Sequence, residues 1–289
     1  MADSSINTER VNTALEYMEN RLGDAPSLDA VARAAHCSKY HFHRMFSRYT
    51  GMSMHAYLRR RRLTEGARRL ACSKTSIIHI ALSTGYESQQ AFADAFAEMY
   101  KTPPGQYRKK GVFYPLQLPI RFKGGPLATL DSRWSVERSV PSDMPGWMEL
   151  ASLVVDGYPY FRESEFAASL HQHIRRGEAL VLKDGETAIG GLLYSSAARH
   201  IGFLAVHPLY RGTNAARLLL ARLLEAVPAK GGEIGISTFR EGDRADARHR
   251  GELISLGFGQ RELSIDHGYP TQKLALSREC VEKGGWNNG

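Results

Sequence analysis

Cysteine is scarce: Cys37, Cys72 and Cys280 are the whole complement, too few and too scattered for a disulfide framework, and no CxxC pair is present to clasp a metal. A chain of this kind suits a reducing compartment. No apolar run approaches the ~18 residues that would cross a bilayer. The opening MADSSINTER has no apolar signal core. Both absences lead to the expectation of a cytoplasmic protein with no membrane partner. His171 and His173 stand two apart, so on a helix they diverge, and no metal is expected. An excess of one charge sign is missing from most of the chain, since residues 111–289 hold 21 Lys and Arg against 20 Asp and Glu. The first 110 residues differ, with 17 against 10, a net charge of +7. A basic first third on a neutral remainder suits a polyanion held by that third alone. Hydrophobic residues at 43% and charged residues at 24% are ordinary for a globular protein. The 289 residues are enough for two domains.

Periodicity supplies the first architecture. Val11, Leu15 and Met18 lie at helical spacing over 8–21. Ser27 then heads a short helix with Leu28, Val31, Ala32 and Ala35. His36, Cys37 and Ser38 break it, and the next helix, about Lys39 to Tyr49, buries Phe42, Met45 and Phe46 before Gly51. A longer helix follows, about Ser53 to Leu70. The pattern then repeats about 50 residues on: a helix near Ser76–Leu82, a turn at Thr84-Gly85, a Ser88 cap, and a helix with Phe92, Phe96 and Met99 inside. Thr102-Pro103-Pro104-Gly105 stops it. The domain is expected to span 7–110.

Two such helix-turn-helix repeats present two second helices to DNA. The first leaves Lys39, Tyr40, His43, Arg44 and Ser47 outward; the second leaves Gln89, Gln90, Ala93 and Asp94. Arg can grip guanine through two donors, and Gln can pair two groups on adenine. The connecting helix is about 27 Å long at ~1.5 Å per residue. Successive major grooves on one DNA face lie about 34 Å apart, so one chain could read two. Arg59-Arg60-Arg61-Arg62 on that helix reads as a solvated face, with Arg61 a candidate phosphate contact.

The segment SLDAVARAAHCSKYHFHRMFSRYTGMSMHAYLRRRRLTEGARRL, with ESQQAFADAF and PPGQYR after it, resembles the AraC/XylS DNA-binding domain, nearest to its multiple-antibiotic-resistance activators and Rob-type members. The resemblance implies a double-stranded DNA partner, base contacts from Tyr40, His43 and Arg44 and from Gln89 and Gln90, and RNA polymerase as a further partner. It also marks a departure: similar activators carry arginine where this chain has Asp94, and an acid there repels phosphate.

Residues 111–132, rich in Pro and Gly, read as a linker with a strand pair near Phe113–Phe122. From Trp134 strands and helices alternate. Trp134–Ser139, Ala179–Lys183, Thr187–Ser195, Ile201–Val206, Glu233–Thr238, Gln260–Asp266 and Gln272–Ser277 read as strands, with a hairpin across Asp184-Gly185. Residues 142–154, 164–176, Ala215–Ala226 and Ala245–Leu256 read as helices, and the tail 279–289 as flexible. In HIGFLAVHPLYRGTNAARLLLARLLEA, the loop Arg211, Gly212, Thr213, Asn214, Ala215, Ala216 opens a helix, where unpaired N–H groups and the helix dipole favour an anion such as pyrophosphate.

The VHPLYRG run, the Leu-rich helix after it and Leu256-Gly257-Phe258 before a last strand pair resemble the GNAT N-acetyltransferases over 133–278. The resemblance implies acetyl-CoA or another acyl-CoA as cofactor. Its pyrophosphate would lie on the Arg211–Ala216 loop, and its pantetheine arm on the backbone of Leu204, Ala205 and Val206. Asn214 stands where the family has a glycine, a replacement that Asn's tolerance of left-handed backbone allows. The family's proton-donating tyrosine corresponds to Leu253, and its strand glutamate has no counterpart at Gly202–Phe203. Tyr194 or Tyr269 is left as substitute acid, and His200, Glu163 or Glu165 as base. The loop Tyr158-Pro159-Tyr160-Phe161 lies where the family closes over the acceptor.

The expected fold is therefore multidomain: an all-α double helix-turn-helix domain and an α/β GNAT-like domain. Two functions fit. One is a sequence-specific regulator whose second domain senses acyl-CoA or a small amine. The other is a regulator that is also a working N-acetyltransferase on a small amine. The loss of tyrosine at 253 favours the sensor.

Overall fold

The computed structural model describes residues 2–123, 134–228 and 232–278. The chain divides into two compact units, Met1–Thr129 and Leu130–Gly289. The tail 279–289 and the later part of the segment read as a linker lie outside the described residues.

The first unit is helical: α1 Ala2–Glu19, α2 Leu28–Ala34, α3 Lys39–Thr50, α4 Met54–Cys72, α5 Ile77–Ser83, α6 Gln89–Tyr100 and α7 Pro104–Lys110. Ser27, Ser38, Ser53, Ser76 and Ser88 each accept the backbone N–H three residues on, capping α2 through α6 in turn. Such a cap satisfies one of the donors a helix start leaves open, about 1 kcal/mol each. The duplication extends to the turns. His36 (φ 52°) and Gly85 (φ 81°) both turn the chain through left-handed backbone. At Gly85 a Cβ would also stand 2.9 Å from the Gly23 carbonyl oxygen, so conformation and space both require glycine. Phe42, Met45 and Phe46 of α3 and Phe92, Phe96 and Met99 of α6 are buried, as their spacing predicts.

Two expectations for this unit are overturned. The segment 113–123 is not a linker and holds no strand pair. Tyr114, Leu116, Ile120 and Phe122 are buried in the helical unit. Pro115 and Pro119 cannot donate to a ladder, so side chains of the helices satisfy this extended chain instead. Thr64 Oγ1 accepts the N–H groups of Leu116 and Gln117 at 3.0 and 3.2 Å. Asn12 donates to the Phe122 carbonyl at 2.8 Å and accepts its N–H at 2.9 Å.

The four arginines are not a solvated face either. Arg60 and Arg61 are buried. Arg60 donates to the Leu116 carbonyl, and Arg61 forks the Glu19 carboxylate at 2.8 and 2.7 Å while also reaching the Gln117 carbonyl at 3.0 Å. Arg62 donates to the Leu22 carbonyl and Arg59 pairs with Glu98. Arg61 is a structural clamp on this extended segment, not a phosphate contact.

The second unit is α/β: β1 Trp134–Arg138, α8 Met144–Val154, α9 Glu163–Arg176, β2 Ala179–Asp184, β3 Thr187–Ser195, β4 His200–Val206, α10 Ala215–Ala226, β5 Ile234–Phe239, α11 His249–Ser255, β6 Gly259–Asp266 and β7 Tyr269–Leu276. The sheet runs β1-β2-β3-β4-β5-β7-β6. Neighbours are antiparallel except β4 and β5, which are parallel and pair only at His200–Gly235 and Ile201–Ile236. Successive glycines of β3 show the two faces: a Cβ at Gly190 would meet Leu219 of α10 at 3.0 Å, and one at Gly191 would meet Trp147 of α8 at 2.5 Å. Helices thus cover both faces of the sheet, α8 on one and α10 on the other.

The strand pairing of β3 with β4 slips by one residue. Phe203 opposes Leu193 but Ile201 opposes Tyr194, leaving Gly202 as the extra residue of a bulge. A bulge reverses which side the following backbone groups face. After it, Leu204 and Val206 turn their N–H and C=O away from β3, toward the gap where β4 parts from β5.

Candidate functional site

On the first unit, Lys39, Tyr40, His43 and Arg44 are all exposed on the first two turns of α3, Tyr40 at 73%. Lys39 pairs with Asp29 at 2.6 Å, and the Arg44 guanidinium lies 5.5 Å from the Tyr40 ring centroid. Gln89 and Gln90 are exposed at the start of α6. Gln90 donates its amide to Asp94 Oδ1 at 2.8 Å, so the acid that breaks the family pattern also fixes a neighbouring base-reading candidate.

On the second unit a cleft of about 430 Å³ opens at the start of α10, lined by Val206, Tyr210, Asn214, Ala216, Arg217 and Glu252. The Arg211–Ala216 loop forms its rim. Gly212 takes the left-handed backbone (φ 77°), whereas Asn214 sits at φ −77°. Asn214's left-handed tolerance is therefore not used; a turn at Gly212 meets the requirement two residues earlier. Thr213 Oγ1 donates to the Tyr210 carbonyl at 2.6 Å and accepts the Ala215 N–H at 3.3 Å, holding the loop against the helix end.

Deeper in, a space of about 20 Å³ is lined by Asp156, Tyr158, Leu204, Arg211, His249 and Glu252. Arg211 stands 3.8 Å from Asp156. The Tyr158 hydroxyl accepts the Leu204 N–H at 3.0 Å and donates to the Leu204 carbonyl. Burial keeps that hydroxyl protonated, well above a tyrosine's usual range. Burial, reinforced by the Arg211 charge, pushes His249 down to about 4, and its Nε2 is buried without a hydrogen-bond partner. The same two causes push His207 down to about 4. Burial raises the Glu252 carboxyl, against the opposing pull of Arg211. The site thus offers a neutral imidazole and a carboxyl that holds its proton more readily than usual, beside the Leu204 backbone whose N–H and C=O Tyr158 holds.

The helix-turn-helix domain model matches residues 31–110, and the acetyltransferase (GNAT) family model matches 147–250. The multiple antibiotic resistance protein MarA of Escherichia coli is 36% identical over 98 residues, which make up 34% of this chain and 77% of that protein. The chain belongs to the AraC-type helix-turn-helix family, joined to a C-terminal GNAT-family domain. The HTH-type transcriptional regulator YbfP of Bacillus subtilis is 40% identical over 98 residues, 34% of this chain, and the match spans only 33% of YbfP. The crystal structure of a GNAT-family acetyltransferase from Bacillus cereus aligns with a TM-score of 0.40 at 17% identity, covering 50% of this chain and 96% of that one.

In this AraC-type chain with its GNAT-family domain, the residues expected to do chemistry are not brought to the cleft. The Tyr194 hydroxyl donates to the Gly177 carbonyl at 3.2 Å, and the ring belongs to the hydrophobic core. Tyr269 is buried and bonded to Asp243 at 3.0 Å. Glu163 and Glu165 lie exposed in the first turn of α9. Each has a local partner or a solvated position that its place in the fold explains. Leu253 is buried in the core, so its α11 neighbours face the cleft instead. His249 and Glu252, three apart on one helix face, are the groups missed. His249 lies four residues before Leu253, on the inward side of α11, and Glu252 lies one residue before it, at the edge of that side. Nothing in their spacing separates these two from core or surface positions, and the sequence expects the helix from Ala245. Asp243 organises a turn there by accepting the Ala245 N–H, and Arg248 (φ 92°) delays the helix to His249.

Proposed function

We propose that this chain is a sequence-specific DNA-binding transcription regulator whose GNAT-family unit binds an acyl-CoA as its signal. The observation that carries the reading is the open face of α3, where Lys39, Tyr40, His43 and Arg44 stand together and none is buried. Side chains that do not pack, on the second helix of a helix-turn-helix, are free to meet base edges. Arg44→Ala is expected to weaken binding to the selected site by about 1–3 kcal/mol and to relax one base position. Randomised-site selection with the full chain tests this; equal recovery of all duplexes would exclude sequence-specific binding.

The coenzyme half of the reading rests on the anion-ready start of α10 and the cleft before it. Asn214→Asp brings a negative charge to that rim and should weaken acetyl-CoA binding about tenfold or more in calorimetry. Unchanged affinity would place the pyrophosphate elsewhere.

A second reading, a working N-acetyltransferase on a small amine, is favoured by Glu252. It lines both the cleft and the deeper space, and burial raises its carboxyl, the direction that favours a proton donor. Release of free thiol from acetyl-CoA over a panel of amines decides between the two.

A further inference from the structure

The cleft of the second unit shares Val206, Arg211 and Glu252 with a smaller inner space that Tyr158 also lines. Of the two β4 residues whose backbone faces the gap, Val206 lines the open cleft and Leu204 does not. Leu204 borders the deeper space, which at about 20 Å³ takes a water and little more. Tyr158 fills what remains, with its hydroxyl on both the N–H and the C=O of Leu204. Its ring stacks on Phe203 with centroids 4.5 Å apart and planes 23° apart, and it lies 4.8 Å from the His249 ring. Here the hydroxyl stands where a ligand lying along the strand would make its own hydrogen bonds.

The acyl-CoA reading proposed above gives that position a chemical meaning. With pyrophosphate at the Arg211–Ala216 loop, an arm running back along β4 meets Val206 first and Leu204 last. The far end of the arm is the sulfur, bare in coenzyme A and carrying a carbonyl in its acyl esters. A thioester carbonyl arriving at Leu204 needs the N–H that Tyr158 holds. A thiol needs no such donor.

Resting on that coenzyme reading, we infer that Tyr158 distinguishes free coenzyme A from its acyl esters. Free coenzyme binds with the hydroxyl still on Leu204, its arm pairing with Val206 alone and not, as the resemblance implies, with Leu204 as well. An acyl-coenzyme takes the Leu204 N–H for its carbonyl and drives Tyr158 out, and the loop 155–161 moves with it. The loop is short and carries a strained residue. It joins α8 to α9 through a single 3-10 turn, and Tyr160 in it is held in left-handed backbone at φ 68°, stacked on His267 at 5.3 Å. A ligand shifts a conformational balance only by contacting the two states differently. The acyl carbonyl is that difference, so what the unit reports is the acylation state of the coenzyme.

The test is calorimetry of the full chain and of Tyr158→Phe with coenzyme A and with acetyl-CoA, together with hydrogen exchange over 155–161. Wild type should prefer free coenzyme by about tenfold, the worth of one buried hydrogen bond that must be exchanged and a ring that must be unstacked. Tyr158→Phe keeps the ring contacts and frees the Leu204 N–H, so the preference should shrink to within about threefold. Acetyl-CoA should speed exchange over 155–161 in wild type, and coenzyme A should not. Equal affinities in wild type, a preference that survives Tyr158→Phe, or exchange that ignores the acetyl group overturns the inference. If the variant fails to fold, the exchange comparison in wild type decides alone. If neither ligand binds either protein, the coenzyme reading itself falls, and the role of Tyr158 with it.

Discussion

Arg61→Ala should destabilise the helical unit by about 3–5 kcal/mol, the usual result of removing one partner of a buried charge pair. Against a typical domain stability of about 5–15 kcal/mol, this is a large fraction of the total, and it unfolds a substantial part of the population only where the starting stability is at the low end of that range. Arg61 is 7% exposed and supplies three hydrogen bonds: two to the Glu19 carboxylate and one to the Gln117 carbonyl. Glu19 also accepts from the Tyr57 hydroxyl at 2.7 Å, so the carboxylate left behind would face a buried phenol with no cation beside it. The Gln117 carbonyl would lose its donor as well, and the extended segment would lose one of its anchors. Arg61→Lys should rescue little, because an ammonium cannot fork a carboxylate and reach a carbonyl at once. The double change Arg61→Met with Glu19→Met should be milder than Arg61→Ala, since a buried ion pair exchanged for apolar groups of similar volume is often neutral. Urea unfolding of the three variants followed by circular dichroism measures all of this. A loss under about 1 kcal/mol for Arg61→Ala would put Arg61 back on the surface.

That prediction reverses what the run of four arginines implies by itself, and the reversal shows where sequence runs out. Helical spacing located α2 through α6 and their buried aromatics, because a 3.6-residue period and a serine cap are local properties. The alternating strands of the second unit were legible for the same reason. The Arg59–Arg62 run has no local signature of its destination. Whether a guanidinium on α4 meets solvent or a carbonyl depends on Leu116 and Gln117, more than fifty residues on. FYPLQLPIRF alternates apolar and other residues as a strand would, yet its prolines bar a ladder and its N–H groups go to Thr64 and Asn12. In the second unit, the Arg211–Ala216 loop at the start of α10 is legible because a helix start with small residues is a local property, and it does line a cleft. The Leu204 backbone is named by the family resemblance; that its N–H and C=O face away from β3 depends on the Gly202 bulge. His249 and Glu252 carry no expectation from sequence, and Tyr158 only that of a loop over the acceptor, because their surroundings come from the environment that α11 and the α8–α9 loop share, where burial shifts the titration of His249 and Glu252. Tyr194 and Tyr269 had the right chemistry for an acid and the wrong positions.

Acidification from pH 7.5 to 5 should remove about 3–4 kcal/mol from the stability of the second unit, before ordinary carboxylates begin to protonate. The cause is the pair His207 and His249, both pushed down to about 4, chiefly by burial and secondarily by Arg211. In the unfolded chain an imidazole titrates near 6.5. Above that value neither state binds the proton and stability does not change. Between about 6.5 and 4 the unfolded state takes protons that the folded state refuses, so stability falls as pH falls, by about 1.4 kcal/mol per pH unit for each imidazole. Glu252 works in the opposite sense. Its raised carboxyl protonates in the folded state first, so it returns some stability as pH falls through its own range. The exposed carboxylates Glu137 and Glu262, held low by neighbouring hydroxyl and ammonium groups, contribute only below the usual carboxylate range. The window from 6.5 to 5 therefore belongs to buried histidines, chiefly His207 and His249, with His200, also held below its usual range by burial, adding in the same sense. Thermal melts of the full chain at pH 7.5, 6 and 5, read on the transition of the second unit, should show the midpoint falling through that window. His249→Gln should remove about half of the slope, because glutamine refuses a proton in both states. A midpoint that holds steady from 7.5 to 5 would mean that both imidazoles are charged or solvated in the folded protein, and the neutral base beside Leu204 would have to be abandoned.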